Sequence, residues 1–177
     1  MYDETHSISF ATEVSVDKDG RLIGQNTWKS WHLIPVNRPC VAPPAFSPKM
    51  VEIPGRDDGP IDISEYLTGA PNFGSRTGSW DFYVDNDHEK WNSIYQNILY
   101  ALHGKRLYCM LDDDRPFYYK GRFTVGQYNS DKSNSRIQIS YTLEPYKHFA
   151  GEAGDFLWDP FNFLTDRTDQ FNNDKRL

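Results

Sequence analysis

The sequence predicts a mainly β chain: an antiparallel β-sandwich with one flanking α-helix, about residues 87–103, and extended arms. Three observations predict it. Three segments alternate apolar and polar residues with period two, one segment carries an apolar stripe at helical spacing, and a proline-rich stretch before them fits neither pattern.

The elements follow in chain order. Residues 1–35 hold two aromatic clusters, "SISF" and "NTWKSWHLIP", on either side of a polar turn "VDKDGR" whose Asp19-Gly20 suits a hairpin. Residues 36–60, with Pro35 just before them, carry seven of the 11 prolines. Proline fixes φ and lacks an amide hydrogen, so this stretch reads as an extended arm along a surface or edge, about residues 36–75. The glycines of "GSRTGSW" are expected in turns just before a strand. That strand is "SWDFYV", with Trp80, Phe82 and Val84 on one face and Ser79, Asp81 and Tyr83 on the other. "FYYKGRFTV" alternates Phe117, Tyr119, Phe123 and Val125 around Gly121, and "RIQISYTL" sets Ile137, Ile139, Tyr141 and Leu143 opposite Arg136, Gln138, Ser140 and Thr142. Such alternation marks strands buried on one face of an antiparallel sheet.

Between them, Trp91, Ile94, Tyr95, Ile98, Leu99 and Leu102 fall on one helical face. Asn86 with Glu89 suggests a capping box, Gly104 a C-terminal stop, and Lys105 and Arg106 suit the negative end of the helix dipole. Residues 1–147 therefore read as one sandwich domain. Residues 148–177 read as an aromatic C-terminal extension, in which Phe156, Leu157, Trp158, Phe161, Phe163 and Leu164 crowd together before the chain turns polar. Such a segment packs either on a neighbour or back on its own domain.

Composition narrows the function. At 177 residues, the chain is long enough to bury roughly two thirds of its unfolded surface. A formal charge of −6 and a pI near 5.3 argue against gripping nucleic acid by its phosphates, though an acidic surface lets nucleic acid slide past. Cys40 and Cys109 are expected to be buried, reduced thiols. The first residues show no secretory signal, and no apolar run approaches the roughly 20 residues that cross a bilayer.

No catalytic chemistry emerges. Asp112, Asp113 and Asp114 lack the glycine and closing glutamate of a calcium loop and lie before a proline, as turn residues do. The five histidines show no paired metal-ligand spacing, and no nucleophile elbow, phosphate loop or dinucleotide fingerprint is present. The sequence thus assigns no catalytic residue, no metal and no cofactor. A carbohydrate-binding β-sandwich module is the alternative, using Trp28, Trp31 or Trp158 to stack sugars, since Trp80 and Trp91 fall on buried faces; core-edge packing of those three is the plainer reading. A hydrolase built on a dispersed carboxylate pair is a third.

The ordered series "NTWKSWHLIPVNRPCVAPP", "VEIPGRDDGPIDISEYLTG", "RTGSWDFYV", "YALHGKRL", "LDDDRPFYYKGRF", "ISYTLEPYK" and "LWDPFNF", over residues 26 to about 164, closely resembles the distal tail protein family of long-tailed (siphovirus-type) bacteriophages and prophages. No one motif is diagnostic; their order carries the resemblance. It implies a β-sandwich with a flanking helix, assembled as a homo-hexameric ring at the virion tail tip. Such a ring joins the tail tube protein to the tail-tip hub, baseplate or tail-associated protein. DNA passes through its lumen without specific binding, and no membrane is involved. The resemblance also implies assembly in the host cytoplasm, in keeping with the absent signal.

The turn-rich segment 51–69 then suits an arm that reaches an adjacent subunit. The interface residues expected on this basis are Ile53, Arg56, Asp57, Asp58, Ile61 and Asp62 in the arm, and Trp158, Phe161 and Phe163 in the extension, the latter meeting a sibling or the hub. Many family members carry a second, galectin-like sandwich after the segment matching "WDPFNF". With Leu177 as the last residue none is expected, and saccharide binding does not carry over. Residues 11–25 look like an insertion relative to the family, a hairpin facing the lumen or a neighbour.

Overall fold

The computed structural model describes residues 6–150 except 56, 67, 68, 86, 132 and 133. The chain is mainly β, an antiparallel sheet curled into a sandwich-like core with one helix along its flank. Its strands are β1 (Ile8–Ala11), β2 (Gln25–Asn26), β3 (Leu33–Pro35), β4 (Met50–Val51), β5 (Ile61–Asp62), β6 (Arg76–Val84), β7 (Arg106–Leu111), β8 (Phe117–Val125), β9 (Asn129–Ser130), β10 (Ser135–Leu143) and β11 (His148–Phe149). The main sheet runs β2-β1-β7-β8-β10-β6-β3, with β9 on β10 and β11 on β8, while β4 and β5 pair only with each other.

The three alternating segments form β6, β8 and β10, and the expected faces point inward. Phe82, Phe123 and Ile139 are completely buried, with Trp80, Tyr119, Val125, Ile137, Tyr141 and Leu143 around them. Phe123 sits at the centre, edge-on to Phe10 with ring centroids 5.0 Å apart. Helix α2 (Trp91–Leu102) lays Ile94, Ile98 and Leu102 on this core, and buries Trp91 at its start, where the ring stacks on His88. It starts later than the capping pattern suggests: a single 3-10 turn, His88–Lys90, precedes it, and Asn86 lies outside the described residues. Its end follows expectation. Gly104 takes φ 72°, a left-handed value glycine adopts without strain, and its amide donates to the Phe123 carbonyl at 2.8 Å. The Lys105 ammonium donates to the Tyr100 carbonyl at 2.5 Å, meeting the exposed carbonyl end of the helix.

A second helix, α1 (Thr27–Trp31), occupies part of the first aromatic cluster. The Asn26 side chain caps it, accepting from the Trp28 and Lys29 amides at 2.9 and 3.0 Å while donating to Ser7 and Ser9. This short turn buries Trp31 at 4% exposure, which removes it from the candidates for sugar stacking. The segment 12–25 is a hairpin, as Asp19-Gly20 suggested. Val16 bridges Leu22, Gly20 takes φ 72°, and the Asp17 carboxylate accepts the Asp19 and Arg21 amides. The hairpin folds over the outer face of the sheet, where Leu22 packs with Ala11 and Met110 as a second small core.

Two further expectations are corrected. Gly78 is not in a turn but inside β6, where an added Cβ would stand 2.4 Å from the Tyr141 hydroxyl; the ring of Tyr141 occupies the missing side chain's place. Cys109 is buried and free, but Cys40, also free, is exposed. The backbone explains it: the Cys40 carbonyl is turned inward to Trp80, so the buried neighbour is Pro39 and the thiol faces out.

Candidate interaction arm

The stretch between β3 and β6 is a two-stranded ribbon that leaves the main sheet. Its ladder begins where Gly74 donates to the Ala45 carbonyl at 2.7 Å and Phe46 bridges Phe73. It continues through Ser47 to Asn72 at 3.0 Å and Ile63 to Lys49 at 2.8 Å, and ends in the β4–β5 pairs Met50 with Asp62 and Val51 with Ile61. The tip turns on Gly55 at φ 85° and Gly59 at φ 83°, values that explain the two glycines beside Pro54 and Pro60. The return strand carries an extra loop between Ser64 and Asn72, closed by Gly69 donating to Glu65 at 2.8 Å.

Three side chains of the sandwich clasp the start of this segment. Trp80 Nε1 donates to the Cys40 carbonyl at 2.8 Å, Arg76 donates to the Ala42 carbonyl at 3.0 Å, and the Tyr141 hydroxyl accepts the Ala42 amide at 3.0 Å. Burial pushes the Tyr141 phenol upward, so it stays a neutral hydroxyl that can serve this clasp. Beside the clasp is an apolar cavity of about 370 Å³, lined by Pro44, Phe73, Phe117, Pro145 and Tyr146 with the two cations Arg76 and Lys147.

Of the arm residues picked from the sequence, Ile53 is 48% exposed, Asp57, Asp58 and Asp62 are exposed, and Ile61 is half-buried on its partner strand. Hydrogen bonds from the Ser64 hydroxyl and amide hold the Asp62 carboxyl below the usual carboxylate range. Arg56, Trp158, Phe161 and Phe163 lie outside the described residues. Sequence reasoning missed Phe46, Met50 and Tyr66, exposed by 54%, 55% and 85%. They were legible only as ordinary strand and loop residues, because exposure depends on the arm pairing with itself instead of the sheet.

The aspartate run forms a 3-10 turn between β7 and β8, as its place before proline suggested. Each carboxylate ties a different segment to the turn. Asp112 accepts the Ser7 hydroxyl at 2.6 Å and lies 3.4 Å from Arg21; Asp113 pairs with His6 and Arg38; Asp114 pairs with Lys147 and accepts the Tyr119 hydroxyl at 2.7 Å. Partial burial pushes the Asp113 carboxyl up, but the hydrogen bonds and charges of His6 and Arg38 together outweigh it and hold it below its ordinary value. Among the described residues no three His, Cys, Asp or Glu side chains are grouped to hold a metal ion. No helix of the described residues is long and apolar enough to cross a membrane.

No family model matches the chain, and no curated protein matches it. Among solved structures it is similar to the SPP1 Dit (gp 19.1) protein, described as a paradigm of the hub adsorption apparatus in phages that infect Gram-positive bacteria, with a TM-score of 0.52 at 15% identity. The alignment covers 80% of this chain and 52% of that one, so the chain spans about half the length of the protein it matches. At this identity the likeness is one of fold, a fold found in a protein of a phage hub adsorption apparatus.

Proposed function

We propose that this protein is a structural component of a bacteriophage tail: an adaptor ring at the tail tip that joins the tail tube to the hub or baseplate and continues the DNA channel. One observation carries the reading. A fold shared with a phage hub protein over 80% of the chain is combined with an arm that buries little of its own apolar surface. An arm of that kind is useful in a closed ring, where each subunit presents one surface to the next and a different one to the last. In this reading residues 1–147 are the ring-forming unit with the arm at about 36–75, and residues 148–177 are an extension toward a sibling or the hub. The partners are five copies of the same chain, the tube protein and a tail-tip hub protein. The ring acts in the virion after assembly in the host cytoplasm, and six copies at −6 each make a lumen past which DNA slides without binding.

Light scattering on the purified protein, with negative-stain images of the same peak, tests this. The expected mass is six times 20.6 kDa, about 124 kDa, with ring-shaped particles, either alone or on mixing with tail-tube protein. A single-chain mass in both conditions refutes the ring.

A further inference from the structure

Among the described residues the exposed large apolar side chains fall into two groups. Phe46, Met50, Val51, Ile53 and Tyr66 are on the arm; Ile23 and Tyr100, 56% and 82% exposed, line a groove elsewhere, and Val14 lies between two of its lining residues. The groove, about 470 Å³, runs between the 12–25 hairpin and the C-terminal turn of α2, floored by Phe10, Leu102 and Leu107. Exposed apolar surface concentrated at two places, neither covered by other described residues, marks a pair of contact sites.

Charge says what fits the groove. Residues 52–65 of the arm carry five acids, Glu52, Asp57, Asp58, Asp62 and Glu65, against one base, Arg56. One cation, Lys105, lines the groove, and directly after Lys105 in the chain Arg106 is Cα-paired with Arg122, both on exposed positions of β7 and β8 outside the groove lining. Like charges placed directly opposite across strands are unfavourable without an anionic neighbour. Glu144 serves Arg106, while Arg122 donates to the Gly104 carbonyl at 2.6 Å. Glu13 is the one acid among the described groove residues.

We infer that the groove between the 12–25 hairpin and the end of α2 is the seat for the arm tip of a second copy of this chain, an acidic, apolar ribbon entering an apolar slot with Lys105 on its wall and Arg122 on the adjoining strand. This rests on the ring reading and adds to it the surface that receives the arm. The two patches differ, so the contact is head-to-tail, and repeating it closes a ring or extends a chain. The 12–25 hairpin thereby gains a role as one wall of the seat.

The test uses two full-length double variants at exposed positions, Ile53→Asp with Tyr66→Asp in the arm and Ile23→Asp with Tyr100→Glu in the groove. Thermal melts first establish that both are folded. Light scattering is expected to give an oligomer for the wild type, a single-chain mass for each variant alone, and a dimer of about 41 kDa, twice 20.6 kDa, when the two are mixed in equal amounts. The dimer forms because the intact arm of one variant meets the intact groove of the other, and it stops at two because the remaining arm and groove are both spoiled. A groove variant that assembles as the wild type does, beside an arm variant that fails, overturns the seat and leaves the ring. Two variants that stay single when mixed overturn it as well. A wild type that stays single at every concentration overturns the self-seating arm, and the ring is then judged by mixing with tube protein.

Discussion

Replacing Tyr141 by phenylalanine removes one oxygen from the clasp that fixes the arm root to the sandwich. That oxygen accepts the Ala42 amide at 3.0 Å and donates to the Cys40 carbonyl at a longer 3.4 Å. The Cys40 carbonyl keeps its 2.8 Å bond from Trp80, so one half-buried donor, the Ala42 amide, is orphaned. A lost neutral hydrogen bond with part of the desolvation penalty of its donor costs about 1–2 kcal/mol. In a chain of this size that lowers Tm by roughly 2–8 °C. Urea and thermal unfolding read the stability, and hydrogen exchange reads the Ala42 amide, whose protection is expected to fall. A neighbouring change separates bond from packing. In Gly78→Ala the new Cβ meets the Tyr141 hydroxyl at 2.4 Å and also the ring Cζ at 2.6 Å, so most of its penalty is expected to persist in the Tyr141→Phe background. An unchanged Tm in Tyr141→Phe, or full rescue of Gly78→Ala by it, refutes the account.

Gly121→Ala is expected to be more damaging than Gly78→Ala. Its Cβ would meet the Thr142 carbonyl oxygen at 2.3 Å and the Leu143 Cα at 2.6 Å, which are backbone atoms of the paired strand and cannot swing aside; comparing the melts of the two variants checks it. A thiol reagent is expected to modify one cysteine in the native protein, Cys40, and both after denaturation, because burial both shields the Cys109 thiol and pushes its ionisation far up; two reactive native thiols refute the packing of β7. Asp113 titrates below the ordinary carboxylate range, about 4, so its pairing with His6 and Arg38 stabilises the fold above that pH and is lost as pH falls through the lowered value. The stability gap between wild type and Asp113→Asn is therefore expected to be present above the ordinary carboxylate range and to close as pH falls through the lowered value, as followed by urea unfolding across pH.

Strands were legible where one face meets solvent. In β10 the alternation of Ile137, Ile139, Tyr141 and Leu143 with polar residues is the pattern of a sheet wetted on its outside. β1 and β7 escaped that rule for a physical reason. All four residues of Ile8–Ala11 are buried, because Ile8 and Phe10 face the main core while Ala11, with Met110 of β7, lies beneath Leu22 of the 12–25 hairpin. Covering both faces erases the period of two. The capping of α1 by Asn26 needed Ser7 and Ser9, roughly twenty residues away, to fix the amide. The arm was recognisable from its prolines and turn glycines, but not which of its side chains face out. That depends on β4 pairing with β5 and with nothing else, a choice made by the whole sheet once β6 is filled by β3 and β10.

The same separation makes the arm removable. A two-stranded ribbon is marginally stable by itself, and the exposed Met50, Val51, Ile53 and Tyr66 contribute little burial to the free subunit. Phe46 and Phe73 already face each other across its base, so residues 47–72 can be replaced by an Asn-Gly turn between them. Shortening the connection recovers about 2 kcal/mol of loop-closure entropy, which offsets the few exposed ladder bonds lost. The clasp of Arg76, Trp80 and Tyr141 on residues 40–42 is untouched. The shortened chain is therefore expected to melt within a few degrees of the wild type and to remain a single chain under conditions where the wild type assembles. Loss of folding would mean that the ribbon is part of the core. Assembly that survives the deletion would mean that subunits meet through the sandwich faces, and that the arm's exposed residues serve another partner.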